Sequence, residues 1–237
     1  MKNFFTVLGG MGTAATESFV QLLNEKTPAK KDQDYLNYII VNHASIPDRS
    51  AYLMDHNQPS PLNDLVEDIQ QQSLLKPDFF VIACNTAHYF YEDLQKETDI
   101  PILHMPRLTV QSIQKQYPRV KKVGILGTNG TVTDGIYDRE LEELGYEVVK
   151  PTSQIQEQTM DLIFQDIKGK NQVPAQKYHH ILQEMKQQTD CDAIILGCTE
   201  LSLAQQREPL GNDELGIPII DAQAELVNAT IKQTQKI

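Results

Sequence analysis

Short apolar runs rich in Val, Ile and Phe recur along the chain, separated by longer stretches in which apolar residues return at helical spacing among charged and amide side chains. This is the pattern of β-α units, whose strands are covered by helices on both faces and so read as nearly continuous apolar runs. It predicts strands over residues 5–8, 38–41, 79–83, 100–103, 123–126, 146–149, 193–196 and 217–220. After the last of these, Asp221 stands as a candidate N-cap before an amphipathic stretch, "DAQAELVNATIKQTQ", that predicts a C-terminal helix crossing back onto the first half of the chain.

The eight strands divide into two sets of four that overlay. "FTVLGGMGT" from residue 5 matches "VGILGTNGT" from residue 123, an offset of 118; "FFVIACNT" matches "AIILGCTE" with Cys84 on Cys198, an offset of 114; "IPIL" at 100 matches "IPII" at 217, an offset of 117. Three segments in one order at nearly constant offset, each sharing loop residues, imply an internal duplication. The expected architecture is α/β: two lobes related by a pseudo-twofold axis, each a four-stranded mainly parallel sheet flanked by helices, with the active site in the cleft between them. Residues 1–105 together with 221–237 are assigned to the N-terminal lobe and 106–220 to the C-terminal lobe.

Composition narrows the partners. Across 237 residues, 21 Lys and Arg stand against 32 Asp and Glu, a formal charge of −11, and the basic residues form no run. Such a surface repels phosphate backbones and anionic membranes, and with no Trp the chain offers little for base stacking. Neither a cationic, apolar leader nor an apolar run long enough to span a membrane is legible, so cytoplasm is the expected compartment. Three cysteines are an odd count and disfavour a disulfide framework.

Two of those cysteines carry the chemistry. In open parallel sheets ligands bind beyond the carboxyl ends of the strands. Cys84 in "VIACNTAHYF" and Cys198 in "AIILGCTELS" both stand at such ends, so facing lobes would bring them to one cleft from opposite sides. A cysteine just before a helix gains amide N–H groups and a dipole that favour thiolate, so both thiols read as activated, with Asn85, Thr86 and Thr199 as N-cap types beside them. Two acid/base groups on opposite faces of one carbon suit inversion at that carbon. A lone strand-terminal cysteine is also an ordinary buried residue, and Cys191, which has no counterpart, is read that way. The loops "LGGMGTAAT", with Met11 and Gly12, and "LGTNGT" offer N–H groups and hydroxyls suited to carboxylates, although their glycines are also readable as turn residues. Arg49 in "NHASIPDRSAY" is suited to gripping a carboxylate bidentately; it and Lys168 are equally readable as solvated surface cations.

Taken together, "GGMGTAAT", "PDR" at 47–49, "ACNTAH" at 83–88 and "LGCTEL" at 196–201 resemble the aspartate/glutamate racemase family, and within it the aspartate racemase branch. The resemblance covers nearly the whole chain. It implies a cofactor-independent amino-acid racemase of two α/β lobes, using a cysteine pair in a two-base mechanism on a small acidic amino acid, and a homodimer. Residue by residue, Cys84 and Cys198 match the catalytic cysteines, with Cys84 serving the D face and Cys198 the L face. Asn85 and Thr86 match the loop that holds the substrate carboxylate, with Thr128 and Thr131 opposite, and Arg49 and Lys168 match an arginine and a lysine that bind carboxylate and stabilise negative charge. Met11, Gly12 and Thr199 complete the candidate substrate-binding set. Thr13 stands where the family commonly has proline, and "LGTNGT" replaces a more usual "LATxGT". Glutamate racemases typically show "DSGxGG" and "CTHYP" where this chain has "LGGMG" and "CTEL".

Other readings compete. "GMGTAA" fits a dinucleotide fingerprint, but the second strand ends in "VNH" where an acidic ribose-binding residue belongs. Cys84 and His88 sit at i, i+4, a metal-ligand spacing that no further Cys/His cluster completes. The same lobes would also serve a non-catalytic amino-acid-binding protein, and glutamate, hydantoin and broad-specificity racemases share parts of the chemistry.

Overall fold

A computed structural model describes residues 1–236. The chain forms two separate four-stranded parallel sheets. In the first, β1 (Phe5–Gly9), β2 (Tyr38–Asn42), β3 (Phe80–Ile82) and β4 (Ile102–Leu103) lie in the order β2-β1-β3-β4. In the second, β5 (Lys122–Leu126), β6 (Glu147–Val149), β7 (Ala193–Leu196) and β8 (Ile219–Asp221) lie in the order β6-β5-β7-β8. The two orders are the same, as the duplication requires.

The repeat extends to single hydrogen bonds. Ala83 N–H donates to Leu8 O at 2.9 Å, and Gly197 N–H donates to Leu126 O at 2.7 Å. Phe80 N–H donates to Pro101 O and Ile194 N–H to Pro218 O, both at 2.9 Å. These prolines also account for two late strand starts. The apolar runs begin at residues 100 and 217, but β4 starts at Ile102 and β8 at Ile219, because a proline can accept from its neighbour and has no N–H to return. The other predicted strands are observed within a residue or so at either end.

Strands β1, β3, β5 and β7 are almost wholly buried, as the continuous apolar runs foretold, whereas β2 and β6 are outer strands of intermediate exposure. Asp221 caps the C-terminal helix Ala222–Thr234, accepting from the N–H groups of Gln223 and Ala224. That helix lies against Thr13–Lys26, where Gln223 Nε2 donates to Ser18 and Lys26 Nζ to Asn228. One continuous core runs from Phe5, Phe19 and Phe79 through Met105 and Val110 to Val123, Tyr137 and Leu226, so side chains of both sheets pack together.

Two loop glycines matter for the site. Gly10 has φ of +87°, and a Cβ there would stand 2.5 Å from the carbonyl carbon of His43. Only glycine lets the turn after β1 pass under the loop after β2. At Gly130 a Cβ would lie 3.1 Å from Ser50 Cα and 3.2 Å from Thr86 Cγ2, which marks how closely the second half of the chain approaches the first.

Candidate active site

Cys84 follows β3 and Cys198 follows β7, each at the carboxyl end of its strand and each buried. Together with Met11, Asp48, Arg49, Ser50, Asn85, Thr86, Thr128, Lys168, Thr199 and Glu200 they line one enclosed space. The space is small, about 10 Å³, roughly the least that holds one water molecule. Beside it opens a cleft of about 530 Å³ that shares Met11, Asp48, Arg49, Lys168 and Glu200 as walls.

Nine of the eleven residues singled out from the sequence therefore line the enclosed space. Gly12 instead caps the helix Thr13–Lys26 and lines the larger cleft, where a Cβ would stand 3.3 Å from Glu200 Oε1. Thr131 stands behind, its hydroxyl 3.0 Å from that of Thr86. Three lining residues were not singled out: Asp48, Ser50 and Glu200. All lie inside quoted motifs, beside Arg49 or two places after Cys198. Tyr137, whose hydroxyl donates to Asn85 Oδ1, carried no sequence signal beyond its place in an amphipathic stretch.

The local structure corrects several expectations. Asn85 and Thr86 do not cap an α-helix. The chain turns into a 3-10 segment, Thr86–Phe90, and no side chain caps it. Freed from capping, Asn85 Oδ1 takes the Tyr137 hydroxyl, while its Nδ2 is buried without a partner. Thr199 is not a cap either. Cys198 occupies that position at Thr199–Arg207, and Thr199 Oγ1 donates to Glu200 Oε2 at 3.3 Å.

Arg49 is not a solvated surface cation, and the side chain of Lys168 is only 24% exposed although its backbone lies at the surface. Arg49 is 7% exposed, and its terminal nitrogens are held by backbone: Nη1 donates to Ile46 O at 3.2 Å and Pro47 O at 3.0 Å, Nη2 to Met11 O at 2.6 Å. The end-on fork expected for a carboxylate is thus occupied, and Nε is the buried nitrogen left without a partner. Lys168 closes the π-helical segment Leu162–Lys168, a geometry common at functional sites. Its Nζ lies 3.8 Å from Glu200 Oε1 and 4.7 Å from the centre of the Phe164 ring. Burial works against this ammonium, but the opposing charges, Glu200 first, outweigh it and its pKa is raised.

The largest electrostatic correction concerns Cys198. Its Sγ donates to Glu200 Oε2 at 2.9 Å. Burial, followed by the Glu200 carboxylate, pushes the thiol well above its ordinary value, although Lys168 and the Glu200 amide pull the other way. Proximity to a helix start therefore does not make Cys198 a thiolate, because desolvation and a neighbouring anion are the stronger effects. It is a thiol hydrogen-bonded to a base.

His88 is committed elsewhere. Its Nδ1–H donates to Cys84 O at 2.8 Å and its Nε2 accepts from Met105 N–H at 3.1 Å, which fixes a neutral ring, in keeping with a pKa lowered by burial. Both ring nitrogens are spent on backbone, so the Cys84/His88 spacing serves the loop's conformation. Among the described residues no group of three or more His, Cys, Asp or Glu has the geometry to hold a metal ion, and no helix is long and apolar enough to cross a membrane. Cys191 is buried and unbridged within the second core cluster.

Comparison with known proteins gives the family of the chain. The chain is 27% identical over 231 residues to a broad specificity amino-acid racemase, RacX, of Bacillus subtilis, covering 95% of both chains. It is 33% identical to a glutamate racemase of Aquifex pyrophilus, but over only 54% of this chain and 48% of that one. Among solved structures, an aspartate racemase of Picrophilus torridus superposes with a TM-score of 0.82 at 29% identity, covering 98% of this chain and 94% of the other. Since a model of the Asp/Glu/hydantoin racemase family matches residues 8–230, nearly the full length, this chain belongs to that family.

Proposed function

We propose that the protein interconverts L- and D-aspartate by proton exchange at Cα, with Cys84 and Cys198 as the two acid/base groups. The observation that carries this reading is that two cysteines from corresponding strand ends of the duplicated halves line one enclosed space. One sulfur, as thiolate, takes the Cα proton; the other, as thiol, delivers its own proton to the opposite face. The pair ends with its protonation exchanged, and solvent resets it. Cys84 would take the proton of the D enantiomer and Cys198 that of the L enantiomer. The Glu200 carboxylate is placed to accept the Cys198 proton when that sulfur must act as base.

Between the two proton transfers, negative charge builds on the α-carboxylate. The unpartnered Asn85 Nδ2 and the Thr86 hydroxyl, backed by the hydroxyls of Thr128 and Thr131, are suited to hold that group. Lys168 and the free Nε of Arg49 supply positive charge at the wall shared with the larger cleft, where the side-chain carboxylate would lie. Met11, Gly12 and Thr199 contribute shape and backbone. Similarity to the Picrophilus aspartate racemase supports aspartate; similarity to RacX along the whole chain, with a roomy adjoining cleft, supports a broader range as the second reading. The proposal needs no bound cofactor, and it includes a homodimer in the cytoplasm, the assembly being open to sedimentation analysis.

Incubation of each enantiomer in D2O tests the reaction, because the delivered proton comes from a thiol that exchanges with solvent. Product should carry deuterium at Cα. Cys84→Ser and Cys198→Ser should each lower racemisation by about 10²–10⁴-fold. Racemisation persisting in both variants would overturn the two-base reading. A panel of aspartate, glutamate and neutral amino acids decides substrate range, and binding without exchange would identify an amino-acid-binding protein.

A further inference from the structure

Four hydroxyls meet beside the thiols, and their hydrogen bonds can be counted. Ser50 Oγ–H donates to Thr128 Oγ1 at 2.6 Å, and Thr131 N–H reaches the same oxygen at 3.4 Å as Thr128 caps the helix Asn129–Thr133. With both lone pairs engaged, Thr128 Oγ1 can only donate, and its neighbours are the hydroxyls of Thr86 at 3.2 Å and Thr131 at 3.3 Å. Those two share one further bond at 3.0 Å. Of four hydroxyl protons, three are consumed within the cluster and one, on Thr86 or Thr131, is left over. Thr131 is fully buried and stands behind the enclosed space, while Thr86 lines it. The surplus proton thus belongs at Thr86, next to Asn85, which is 1% exposed and whose Nδ2 also lacks a partner.

We infer that Ser50 is a positioning residue: by filling Thr128 it forces the hydroxyl chain to run toward Thr86, so that the Thr86 proton is aimed at the substrate beside the Asn85 amide donor. Such a face accepts a carboxylate, which is acceptor-only when ionised, and disfavours a carboxamide, whose NH2 would meet another donor. Without Ser50, Thr128 regains a lone pair and Thr86 can turn its proton back onto it. The chain passes from Ser50 and Thr86 in the first half of the sequence to Thr128 and Thr131 in the second, so the donor face exists only while the two are in contact. This inference rests on the racemase reading and assigns recognition of the α-carboxylate within it.

The test compares wild type, Ser50→Ala and Ser50→Thr for KM and kcat with aspartate, and for inhibition by the α-amide, aspartate 1-amide (isoasparagine). Ser50→Ala should raise KM and lower kcat/KM by about tenfold or more, and should change the inhibition constant of the amide by less than twofold. Ser50→Thr, which keeps the hydroxyl, should restore KM. In a Thr128→Val background Ser50→Ala should have no further effect, since the two act through one chain. Should Ser50→Ala prove unstable to heat, Ser50→Cys, which keeps the volume but donates weakly, replaces it in the same comparisons. An unchanged KM, an equal loss of affinity for acid and amide, or an undiminished effect in Thr128→Val overturns the inference. No deuterium exchange by wild type removes the racemase reading and this inference with it, whereas exchange by wild type with an unchanged KM in Ser50→Ala removes this inference alone.

Discussion

Cys198 shows how a single neighbour can change the task of a side chain. A two-base exchange needs one thiolate and one thiol, so kcat/KM rises as the first proton leaves the pair and falls as the second leaves. Burial and then the Glu200 carboxylate hold the Cys198 thiol well above its ordinary value, so the falling limb is expected on the alkaline side of an ordinary thiol's titration. The signs for variants follow. Glu200→Gln removes an anion that disfavours thiolate and should move that limb to lower pH; Lys168→Met removes a cation that favours it and should move the limb higher. Rates measured across pH 7–11 check both directions, and a limb that Glu200→Gln leaves in place would remove Cys198 from the titrating pair. Because the enantiomers have equal free energies, kcat/KM must match in the two directions at every pH. The inequality of the two thiols can then appear only in kcat and KM taken separately.

At the scale of elements, the π-helical segment decides where Lys168 points. An extra residue in each turn shifts the register of its side chains, and the segment is tied down from outside: Asp166 accepts from Lys170 at 3.0 Å and Lys177 at 2.7 Å, while Lys177 also bonds Asp161. Lys177→Met should release this tie and let the segment rewind toward α geometry, turning Lys168 away from Glu200. The expected result is a fall in kcat/KM of about tenfold with a Tm change under about 4 °C, since a partly exposed ion pair contributes little stability. Unchanged activity would mean that packing of Ile163 and Ile167 holds the segment by itself. The sequence does not show this: "DLIFQDIKGK" has the apolar spacing of any buried helix, and the Lys177 that bonds Asp166 comes from the separate helix Ala175–Thr189.

For the whole molecule, the enclosed space of about 10 Å³ is far too small for an amino acid, so the walls must part for substrate to enter from the larger cleft. Those walls include Met11 and Arg49, joined by the 2.6 Å bond from Nη2, and Lys168 with Glu200. Saturating aspartate should slow hydrogen exchange at amides of residues 10–13 and 46–51, as ligand bonds favour the closed arrangement. Exchange left unchanged there, with protection elsewhere, would place the entrance on another side.

The sequence by itself determined the duplicated architecture, because buried parallel strands must be apolar throughout and a copied unit keeps its spacing. It also located both cysteines, since strand ends are where such sheets expose their chemistry. Tertiary structure alone decided what those residues do next to one another. Arg49 looked free until three backbone carbonyls were folded around it, and Cys198 looked like a thiolate until Glu200 and burial outweighed the helix end. Charge, desolvation and hydrogen-bond direction depend on distances between atoms far apart in the chain, and Ser50 meets Thr128 across 78 positions of sequence, a contact that no local pattern records.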